Sequence, residues 1–314
     1  MTQLGSSGLD VSALCLGTNV FGWTADETTS HAVLDAYVAS GGNFLDTADV
    51  YSAWVDGNAG GESEAIIGSW IAKNPDKRDD LVVATKCSQL APNKGLGRDA
   101  ILGAADASLK RLRTDRIDLY WAHYDDADTP LEETLAAFGE LIVAGKVRAI
   151  GASNYSAPRL AEALALADRE GLPKYVALQP EYNLVEREEY ESTLAPLVAE
   201  HELTAVPYYG LAHGFLTGKY RPGGPAVDSP RARGAAAYLE QPGAVAVLEA
   251  LDAVAAAHDT TVAAVALAWI AAQPHVTAPI ASARTVAQLR DLLPVDDLQL
   301  TAGEIERLTT ATVA

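Results

Sequence analysis

The amino-acid sequence predicts an α/β fold: a closed (β/α)8 TIM barrel with an N-terminal β-hairpin plug and extra helices. Apolar runs typical of parallel strands alternate with amphipathic helical stretches along the chain, the pattern of repeated βα units. Eight strands are predicted, the number that a closed barrel requires. The 314 residues fit one barrel without a linker-like interruption, so we expect a single domain over residues 1–314.

The predicted strands and helices alternate in a regular order. The strands cover residues 13–18, 43–48, 81–86, 117–123, 147–153, 175–179, 204–208 and 276–282. Between them, apolar residues at positions i, i+3, i+4 and i+7 predict helices at 27–40, 61–74, 97–113, 131–145, 157–171 and 187–202. Each helix provides the crossover that connects two parallel strands.

Three segments fall outside this repeat. Residues 3–14 have the pattern of a short hairpin, which we expect to plug the bottom of the barrel. Residues 243–259 predict an additional helix before the last βα unit. Residues 220–243 form one long loop rich in glycine and proline, and loops of this length are usually lids or disordered.

Charge and cysteine content exclude several classes of function. Acidic residues outnumber basic ones by 42 to 23, which gives a formal net charge of −19. Nucleic acids and anionic membranes require clustered Lys and Arg, so neither is expected as a partner. Cys15 and Cys87 are the only cysteines and lie far apart, which argues against a disulfide framework and a cysteine-rich metal site. We expect no bound metal.

No targeting or membrane segment is evident in the sequence. The N-terminus lacks a cationic stretch followed by an apolar one, and no run reaches the about 18 apolar residues of a membrane helix. We therefore expect a cytoplasmic protein. The sequence does not predict its oligomeric state.

The segment GGNFLDTADVYS, residues 41–52, ends an apolar strand in two aspartates and a tyrosine. Aspartate is disfavoured in strands and costly to bury without a partner. Lys86 ends the next strand, so we expect it to lie beside Asp46 and to form an ion pair with it. A purely structural salt bridge is the alternative, but Tyr51 and His123 are expected at the same rim of the barrel.

Together these four side chains suit acid catalysis at a carbonyl group. The Lys86 ammonium favours the phenolate form of Tyr51, which makes Tyr51 a better proton donor near neutrality. His123 is expected to hydrogen-bond the carbonyl oxygen or to pass a proton. No nucleophile accompanies the proton donor, so hydride from a nicotinamide cofactor is predicted. The motif GLGRDA at 95–100 does not directly follow its strand, so we interpret it as a loop before a helix.

Along nearly its whole length the chain resembles the aldo-keto reductases, in particular their bacterial and channel-β-subunit-like branch. The matching segments, in order, are GGNFLDTADVYS, GGESEAIIG, LVVATK, SLKRLRTDRIDLYWAH, GKVRAIGASNYS, LQPEYNL, VPYYGLAHGFLTGKY and ARTVAQL. The resemblance implies reduction of an aldehyde or ketone, a keto-sugar included, with NADPH. It also implies that the catalytic residues are Asp46, Tyr51, Lys86 and His123.

The resemblance further implies which residues hold the cofactor. Ser153, Asn154 and Gln179 match residues that bind the nicotinamide carboxamide, and Tyr208 matches the aromatic residue on which that ring stacks. The residues expected to bind the phosphates and the adenosine end of the cofactor are Gly210, Leu211, Lys219, Arg231 or Arg233, Ser282, Arg284 and Gln288. Gly17 and Thr18, which end the first strand, and Asp46 complete the expected cofactor contacts.

The chain departs from the family pattern at three positions. Leu292 stands where Asn commonly contacts adenine, Ser282 where Gly is common, and Gly210 where Pro is common. These changes affect adenine contacts and loop stiffness but leave the chemistry intact. NADPH is expected over NADH because Arg284, with the Ser282 hydroxyl and the helix that Arg284 begins, can hold a 2′-phosphate.

Two tryptophans are candidates for substrate binding. Trp23 and Trp54 follow the first two strands, where an exposed indole is costly unless it lines a pocket. We interpret both as walls of the substrate pocket; packing under a loop is the alternative. Trp70, Trp121 and Trp269 lie within helix or strand patterns and are predicted to be core residues.

Two rival functions stay open at this stage. A Schiff-base aldolase can use a lysine at a strand end, although a carboxylate beside Lys86 raises its pKa, whereas an amine nucleophile needs a lowered one. A regulatory or channel-associated subunit is the second rival, because channel β subunits share the reductase fold and the cofactor. The sequence does not identify the carbonyl substrate.

Overall fold

A parallel sheet of eight strands, preceded by a short hairpin, forms the centre of the computed structural model, which describes residues 1–311. The hairpin strands are β1 (Thr2–Gln3) and β2 (Asp10–Val11). The parallel strands are β3 (Cys15–Gly17), β4 (Phe44–Asp46), β5 (Val82–Cys87), β6 (Ile117–Ala122), β7 (Val147–Ser153), β8 (Ala177–Gln179), β9 (Thr204–Ala205) and β10 (Ile280–Ala281). Strands β3 to β9 pair in chain order, and β10 pairs with β3.

Backbone hydrogen bonds between the β9 region and the segment before β10 close the sheet into a barrel. The Ala205 N–H donates to the His275 carbonyl at 2.7 Å, and the Thr277 N–H donates to the Ala205 carbonyl at 3.0 Å. The Ile280 N–H donates to the Pro207 carbonyl at 2.8 Å. All eight predicted barrel strands are present, and the predicted (β/α)8 barrel is confirmed.

Helices surround the barrel and connect successive strands. They are α1 (Glu27–Ala39), α2 (Glu62–Lys73), α3 (Arg98–Leu112), α4 (Leu131–Val143), α5 (Ala157–Glu170), α6 (Ala195–Glu200), α7 (Ala232–Ala237), α8 (Ala244–Ala257), α9 (Val262–Ala271), α10 (Val286–Leu292) and α11 (Ala302–Ala311). Side chains cap several of them: Asp26 accepts from the Thr29 N–H at 2.8 Å, ahead of α1. A π-helical turn, Tyr190–Leu194, precedes α6.

The N-terminal hairpin closes the bottom of the barrel, as predicted. Asn43, just before β4, donates to the Asp10 carbonyl and accepts from the Ser12 N–H. The interior cluster contains Leu4, Leu9, Val11, Cys15, Phe44, Val82, Leu119 and Trp121. Gly151 is required beside it, because a Cβ at this position would lie 2.3 Å from the Trp121 ring. Trp70, Trp121 and Trp269 are buried core residues, as expected.

The long loop 220–243 is more structured than a disordered loop. It contains α7 and the short 3-10 turn Tyr238–Glu240. Residues 229–231, in the middle of the loop, line a cavity at one end of the barrel, whereas Arg233 is exposed to solvent. The loop therefore contributes a side chain to the site described below.

Both cysteines are buried free thiols. No group of three or more His, Cys, Asp or Glu within residues 1–311 is arranged to hold a metal ion. In the same residues no single helix is long and apolar enough to cross a membrane; α8 and α9 reach that hydropathy and length only as a pair bent by 98°.

Candidate active site

A cavity of about 840 Å³ opens at the C-terminal ends of the barrel strands. This is the end at which the active sites of such barrels lie. Of the residues predicted for the site, those that line the cavity are Gly17, Trp23, Asp46, Tyr51, Trp54, His123, Ser153, Asn154, Gln179, Tyr208, Gly210, Leu211, Lys219, Arg231, Ser282, Arg284 and Gln288. Lys86 lies directly behind this surface, and Thr18 is turned away from it.

Lys86 explains how Asp46 is buried. The Lys86 ammonium donates to the Asp46 carboxylate at 2.5 Å, to the Thr47 carbonyl at 2.7 Å and to the Tyr51 hydroxyl oxygen at 2.9 Å. Asp46 and Lys86 are almost completely buried, so the pair satisfies two charges that would otherwise be costly. Because Lys86 donates to the Tyr51 oxygen, the phenol keeps its own proton for another acceptor.

The protonation states differ in part from the sequence-based expectation. Burial raises the pKa of Tyr51 to about 12, and the opposing effect of Lys86 does not overcome it. Burial lowers the pKa of Lys86, but Asp46 and Tyr51 together raise it above its ordinary value. At neutral pH Tyr51 therefore holds its proton and Lys86 its charge. The raised pKa of Lys86 argues against an amine nucleophile.

His123 is a neutral imidazole next to this pair. Burial and the Lys86 charge hold its pKa well below the usual value. Its ring centre lies 6.2 Å from that of Tyr51, and its buried Nδ1 has no hydrogen-bond partner in the described part of the chain. A neutral ring at this place can hydrogen-bond a carbonyl oxygen without adding a second positive charge beside Lys86.

A hydrogen-bonded chain of polar side chains connects three strand ends to Asp46. Tyr208 donates to the Asn154 amide oxygen at 2.9 Å, and the Asn154 amide nitrogen donates to the His123 carbonyl at 2.9 Å. The Ser153 hydroxyl donates to the Gln179 carbonyl at 2.9 Å. The Gln179 amide then donates to Asp46 at 3.0 Å, so these side chains are fixed relative to the Asp46–Lys86 pair.

The two residues at the end of β3 have different positions. Gly17 lines the cavity, and a Cβ there would lie 2.7 Å from Ile280 and 2.9 Å from the Ser282 hydroxyl, so glycine is needed. The side chain of Thr18 is buried, and its hydroxyl donates to the Asp46 carbonyl at 2.9 Å. The prediction that Thr18 contacts a cofactor is thus not supported by its orientation, because its hydroxyl supports strand β4 instead.

Three cations also line the cavity: Lys219, Arg231 and Arg284. Burial lowers the pKa of Lys219, and the charges of Arg284 and Arg231 lower it further. Burial and Arg284 also lower the pKa of Arg231. None of the three forms an ion pair with a carboxylate among residues 1–311. Mutually repelling, unpaired cations in an acidic protein are typical of an anion site.

The surroundings of Arg284 differ from the expectation. Helix α10 begins at Val286, so Arg284 precedes the helix instead of opening it. The backbone N–H of Arg284 donates to the side-chain oxygen of Gln288 at 2.9 Å. The Ser282 hydroxyl donates to Asn19 at 2.7 Å, so its proton is already engaged. The guanidinium of Arg284 is therefore the feature that favours a phosphate here.

Aromatic rings surround the mouth of the cavity. Trp23 and Trp54 meet edge to face with ring centres 5.6 Å apart, and Trp54 lies 6.1 Å from Tyr51. Trp54 is 50% exposed, Tyr124 46% and Tyr209 36%. Exposed aromatic rings at a cavity mouth are suited to contact a ligand. Both tryptophans lie where the sequence predicted them, on the cavity wall.

Asp49, the second aspartate of GGNFLDTADVYS, is placed differently from Asp46. Its backbone N–H donates to the Lys86 carbonyl at 3.2 Å, and one buried carboxylate oxygen has no hydrogen-bond partner among the described residues. Burial and the charge of Glu64 together raise the pKa of Asp49 to about 7, and Arg111 only partly opposes them. Glu64 itself is buried and accepts from Arg111 at 2.6 Å.

We expect Asp49→Asn to stabilise the protein above pH 7 and to change little near pH 4. The raised pKa means that the folded state binds this proton more tightly than the unfolded chain between about pH 4 and pH 7. Wild-type stability therefore falls as pH rises through that window. A pKa shift of about three units corresponds to a difference of at most about 4 kcal/mol in the free energy of unfolding. Urea unfolding of both proteins at pH 4 and pH 8 measures the difference in stability.

The exposed Asp56, on the same loop, offers the matched control for Asp49. Asp56→Asn removes the same charge without removing a buried one, so its effect on stability should be small at both pH values. An Asp49→Asn protein no more stable than wild type at pH 8 would show that the buried carboxylate is fully compensated.

Some cavity residues were missed by the sequence reasoning. Asn19, Tyr124, Tyr209 and His213 all line the cavity. The first two directly follow predicted strand ends, and Tyr209 follows Tyr208, so position alone offered a signal for three of them. His213 gave none, because its place depends on a left-handed backbone turn at φ 57° and on a ring contact of 4.0 Å with Tyr209.

The fold is a parallel eight-stranded barrel, and one rim carries a tyrosine, a lysine, an aspartate and a histidine. Beside them lies a large cavity lined by basic side chains without acidic partners. These features together define a class of protein, the barrel oxidoreductases. Residues 13–312 match the model of the Aldo/keto reductase family. The chain therefore belongs to the aldo/keto reductase family, and it is an oxidoreductase of the kind that acts on carbonyl compounds with NAD(P)H.

Three relatives illustrate the range of this similarity. The chain is 36% identical to an uncharacterized oxidoreductase, YrpG, of Bacillus subtilis (strain 168), over 95% of the chain and 91% of the relative. It is 35% identical to a probable voltage-gated potassium channel subunit beta of Arabidopsis thaliana, over 94% and 90%. It is 33% identical to the protein tas of Escherichia coli (strain K12), over 90% and 89%.

Proposed function

We propose that this protein, as one domain over residues 1–314, reduces an aldehyde or ketone to the alcohol with NADPH. The observation that carries the proposal is the Tyr51 hydroxyl, which lines the cavity and accepts a hydrogen bond of 2.9 Å from the buried Lys86 ammonium. This arrangement provides a proton donor whose conjugate base is stabilised when the proton leaves. We propose that Tyr51 is that donor.

Each of the four rim residues has a separate task in this proposal. His123 hydrogen-bonds the carbonyl oxygen of the substrate and orients it towards Tyr51. Tyr51 transfers its proton to that oxygen, and the Lys86 ammonium stabilises the phenolate that results. Asp46 keeps Lys86 charged and in place. The nicotinamide supplies the hydride when it is bound.

The cofactor would be held by residues from separate strand ends. Ser153, Asn154 and Gln179 offer amide and hydroxyl groups for the carboxamide, and Tyr208 offers an aromatic face for the ring. Lys219 and Arg284 offer positive charge for the phosphates. The unpaired charges of these cations support the fit, because the rest of the chain is strongly acidic.

We expect NADPH to bind more tightly than NADH, and Arg284→Ala to remove most of that preference. A charge-assisted hydrogen bond contributes about 1.5 to 3 kcal/mol, which is about 10- to 100-fold in affinity. Fluorescence titration of both cofactors measures the ratio in each protein. Equal affinities in the wild type, or an unchanged ratio in Arg284→Ala, would contradict the assignment.

Arg290, at the end of α10, provides the matched control for that titration. It is exposed and lies outside the cavity lining, so Arg290→Ala removes the same charge without a cofactor contact. The NADPH preference of this control should equal that of the wild type. A loss in both variants would indicate a general charge effect.

The proposed reaction is tested by oxidation of NADPH with a panel of aldehydes, ketones and keto-sugars. Substrate-dependent loss of absorbance at the nicotinamide band, with the alcohol identified as product, is the expected result. Cofactor binding without turnover on the whole panel would instead favour the second candidate, a regulatory subunit. The similarity to a probable channel subunit beta is the specific observation in favour of that candidate.

A further inference from the structure

Aromatic rings lie next to both residues that would contact the substrate carbonyl. The ring centre of Trp54 lies 6.1 Å from that of Tyr51, and Trp23 meets Trp54 edge to face. The ring centre of Tyr124 lies 5.0 Å from that of His123. A carbonyl oxygen within reach of Tyr51 and His123 therefore leaves the rest of the substrate among indole and phenol rings.

The charged groups of the cavity have other tasks. The carboxylate of Asp46 is neutralised by Lys86. Asp291 lies on α10, at the end of the cavity assigned to adenosine. Arg231 belongs to the anion site assigned to the cofactor. The aromatic part of the cavity is thus suited to an uncharged, flat molecule, because aromatic rings gain most from contact with another ring.

Gln89 adds a polar side chain to this part of the cavity lining. Its amide nitrogen donates to the Ser88 hydroxyl oxygen at 3.0 Å, and the backbone N–H of Tyr124 donates to the same oxygen at 3.3 Å. Ser88 is buried and has a left-handed backbone with φ 101°, which is unfavourable for a residue other than glycine. Such strain is typical of functional sites. Ser88 therefore fixes Gln89 beside Tyr124.

The amide oxygen of Gln89 is available to a ligand. Ser88 is the partner of the amide nitrogen, and the oxygen makes no hydrogen bond with any residue between 1 and 311. An amide oxygen accepts hydrogen bonds and does not donate them. A ligand group that fits this oxygen must consequently be a hydrogen-bond donor.

We propose that the preferred substrates are uncharged aromatic aldehydes or ketones whose ring carries a hydroxyl group or another neutral hydrogen-bond donor, and that Gln89 binds this donor. This inference rests on the proposed function and specifies its substrate class. The ring packs against Trp54 and Tyr124 while the carbonyl lies between Tyr51 and His123. A small sugar is the competing class, but it would present several hydroxyl groups to walls that are mainly aromatic.

Two comparisons of aldehydes test this assignment. The first compares 3- and 4-(hydroxymethyl)benzaldehyde with 3- and 4-ethylbenzaldehyde, which have nearly the same shape but no hydroxyl group. The second compares benzaldehyde with cyclohexanecarbaldehyde, which has no aromatic ring. The quantity measured is the ratio of kcat/KM within each comparison, for wild type, Gln89→Leu, Gln89→Glu and Trp54→Leu. Intrinsic aldehyde reactivity cancels when the ratios of two proteins are compared.

We expect the wild type to favour the hydroxymethyl compound at one ring position at least. Gln89→Leu should lower that ratio about 2- to 12-fold, whereas Gln89→Glu keeps an acceptor oxygen and should retain most of it. Trp54→Leu should lower the ratio of benzaldehyde to cyclohexanecarbaldehyde by a similar factor. Gln241→Leu is the matched control, because Gln241 is exposed and outside the cavity lining, and its ratios should equal those of the wild type.

Equal kcat/KM for the hydroxymethyl and ethyl compounds in the wild type would overturn the inference while leaving the proposed function intact. An unchanged ratio in Gln89→Leu, with its fold verified by circular dichroism, would do the same. A higher kcat/KM for erythrose than for every aromatic aldehyde would assign the site to sugars instead. A wild type that reduces none of these compounds would remove both the inference and the proposed function.

Discussion

Replacement of Tyr51 by phenylalanine is expected to lower kcat for carbonyl reduction by about 10²- to 10⁴-fold. The substitution removes only the hydroxyl group, which accepts from Lys86 at 2.9 Å and holds the proton that the carbonyl oxygen needs. The aromatic ring and its contact with Trp54 remain. The affinity for NADPH should therefore be nearly unchanged, and kcat and cofactor Kd are measured side by side.

Tyr190→Phe provides the control for the loss of a phenol. Tyr190 is buried beside α6, and its hydroxyl has no hydrogen-bond partner among the described residues. It lies outside the cavity lining, so its removal should leave kcat unaffected. A Tyr51→Phe enzyme with nearly wild-type kcat would show that the proton comes from elsewhere, with His123 as the next candidate.

Lys86→Met is expected to reduce both activity and stability. Without the ammonium, Asp46 keeps a buried charge with no cation, and breaking a buried pair in this way costs about 3 to 5 kcal/mol. The pKa of Tyr51 also rises further, because Lys86 is the group that lowers it. We therefore expect a lower melting temperature together with a fall in kcat/KM of about 10²- to 10⁴-fold.

Two further variants separate the chemical and structural effects of Lys86. Lys110→Met removes an exposed lysine on α3 and should change neither property. Lys86→Met combined with Asp46→Asn removes both charges and should recover stability but not activity. A folded Lys86→Met enzyme with wild-type kcat/KM and pH profile would reduce Lys86 to a structural salt bridge.

The barrel itself was predictable because each strand has its own apolar run and each crossover its own amphipathic helix. The lengths of the strands were less predictable than their positions. The predicted strands 204–208 and 276–282 contain Pro207 and Pro279, which lack the N–H that a regular ladder needs, and the observed strands are two residues each. The hydrogen bonds that close the barrel between β9 and β10 depend on residues far apart in the chain, so the local sequence of either strand does not predict them.

The candidate site was predictable where its residues stand at strand ends. Parallel strands bring their C-terminal ends together, so Asp46, Lys86 and His123 were expected at one rim from sequence position alone. The surroundings of Asp49 were not predictable in this way, because Glu64 and Arg111 approach it from helices α2 and α3. The pKa of Tyr51 was also missed in direction, because the sequence showed the lysine but not the extent of burial.

The central claim is hydride transfer to a carbonyl group with a proton from Tyr51. Its most direct test uses NADPH with deuterium at both positions of nicotinamide C4, a reducible aldehyde and mass spectrometry of the product, in wild type and Tyr51→Phe. We predict one deuterium on the former carbonyl carbon of the alcohol in the wild type and almost no alcohol with Tyr51→Phe. An alcohol without deuterium, or equal amounts from both proteins, would contradict this account.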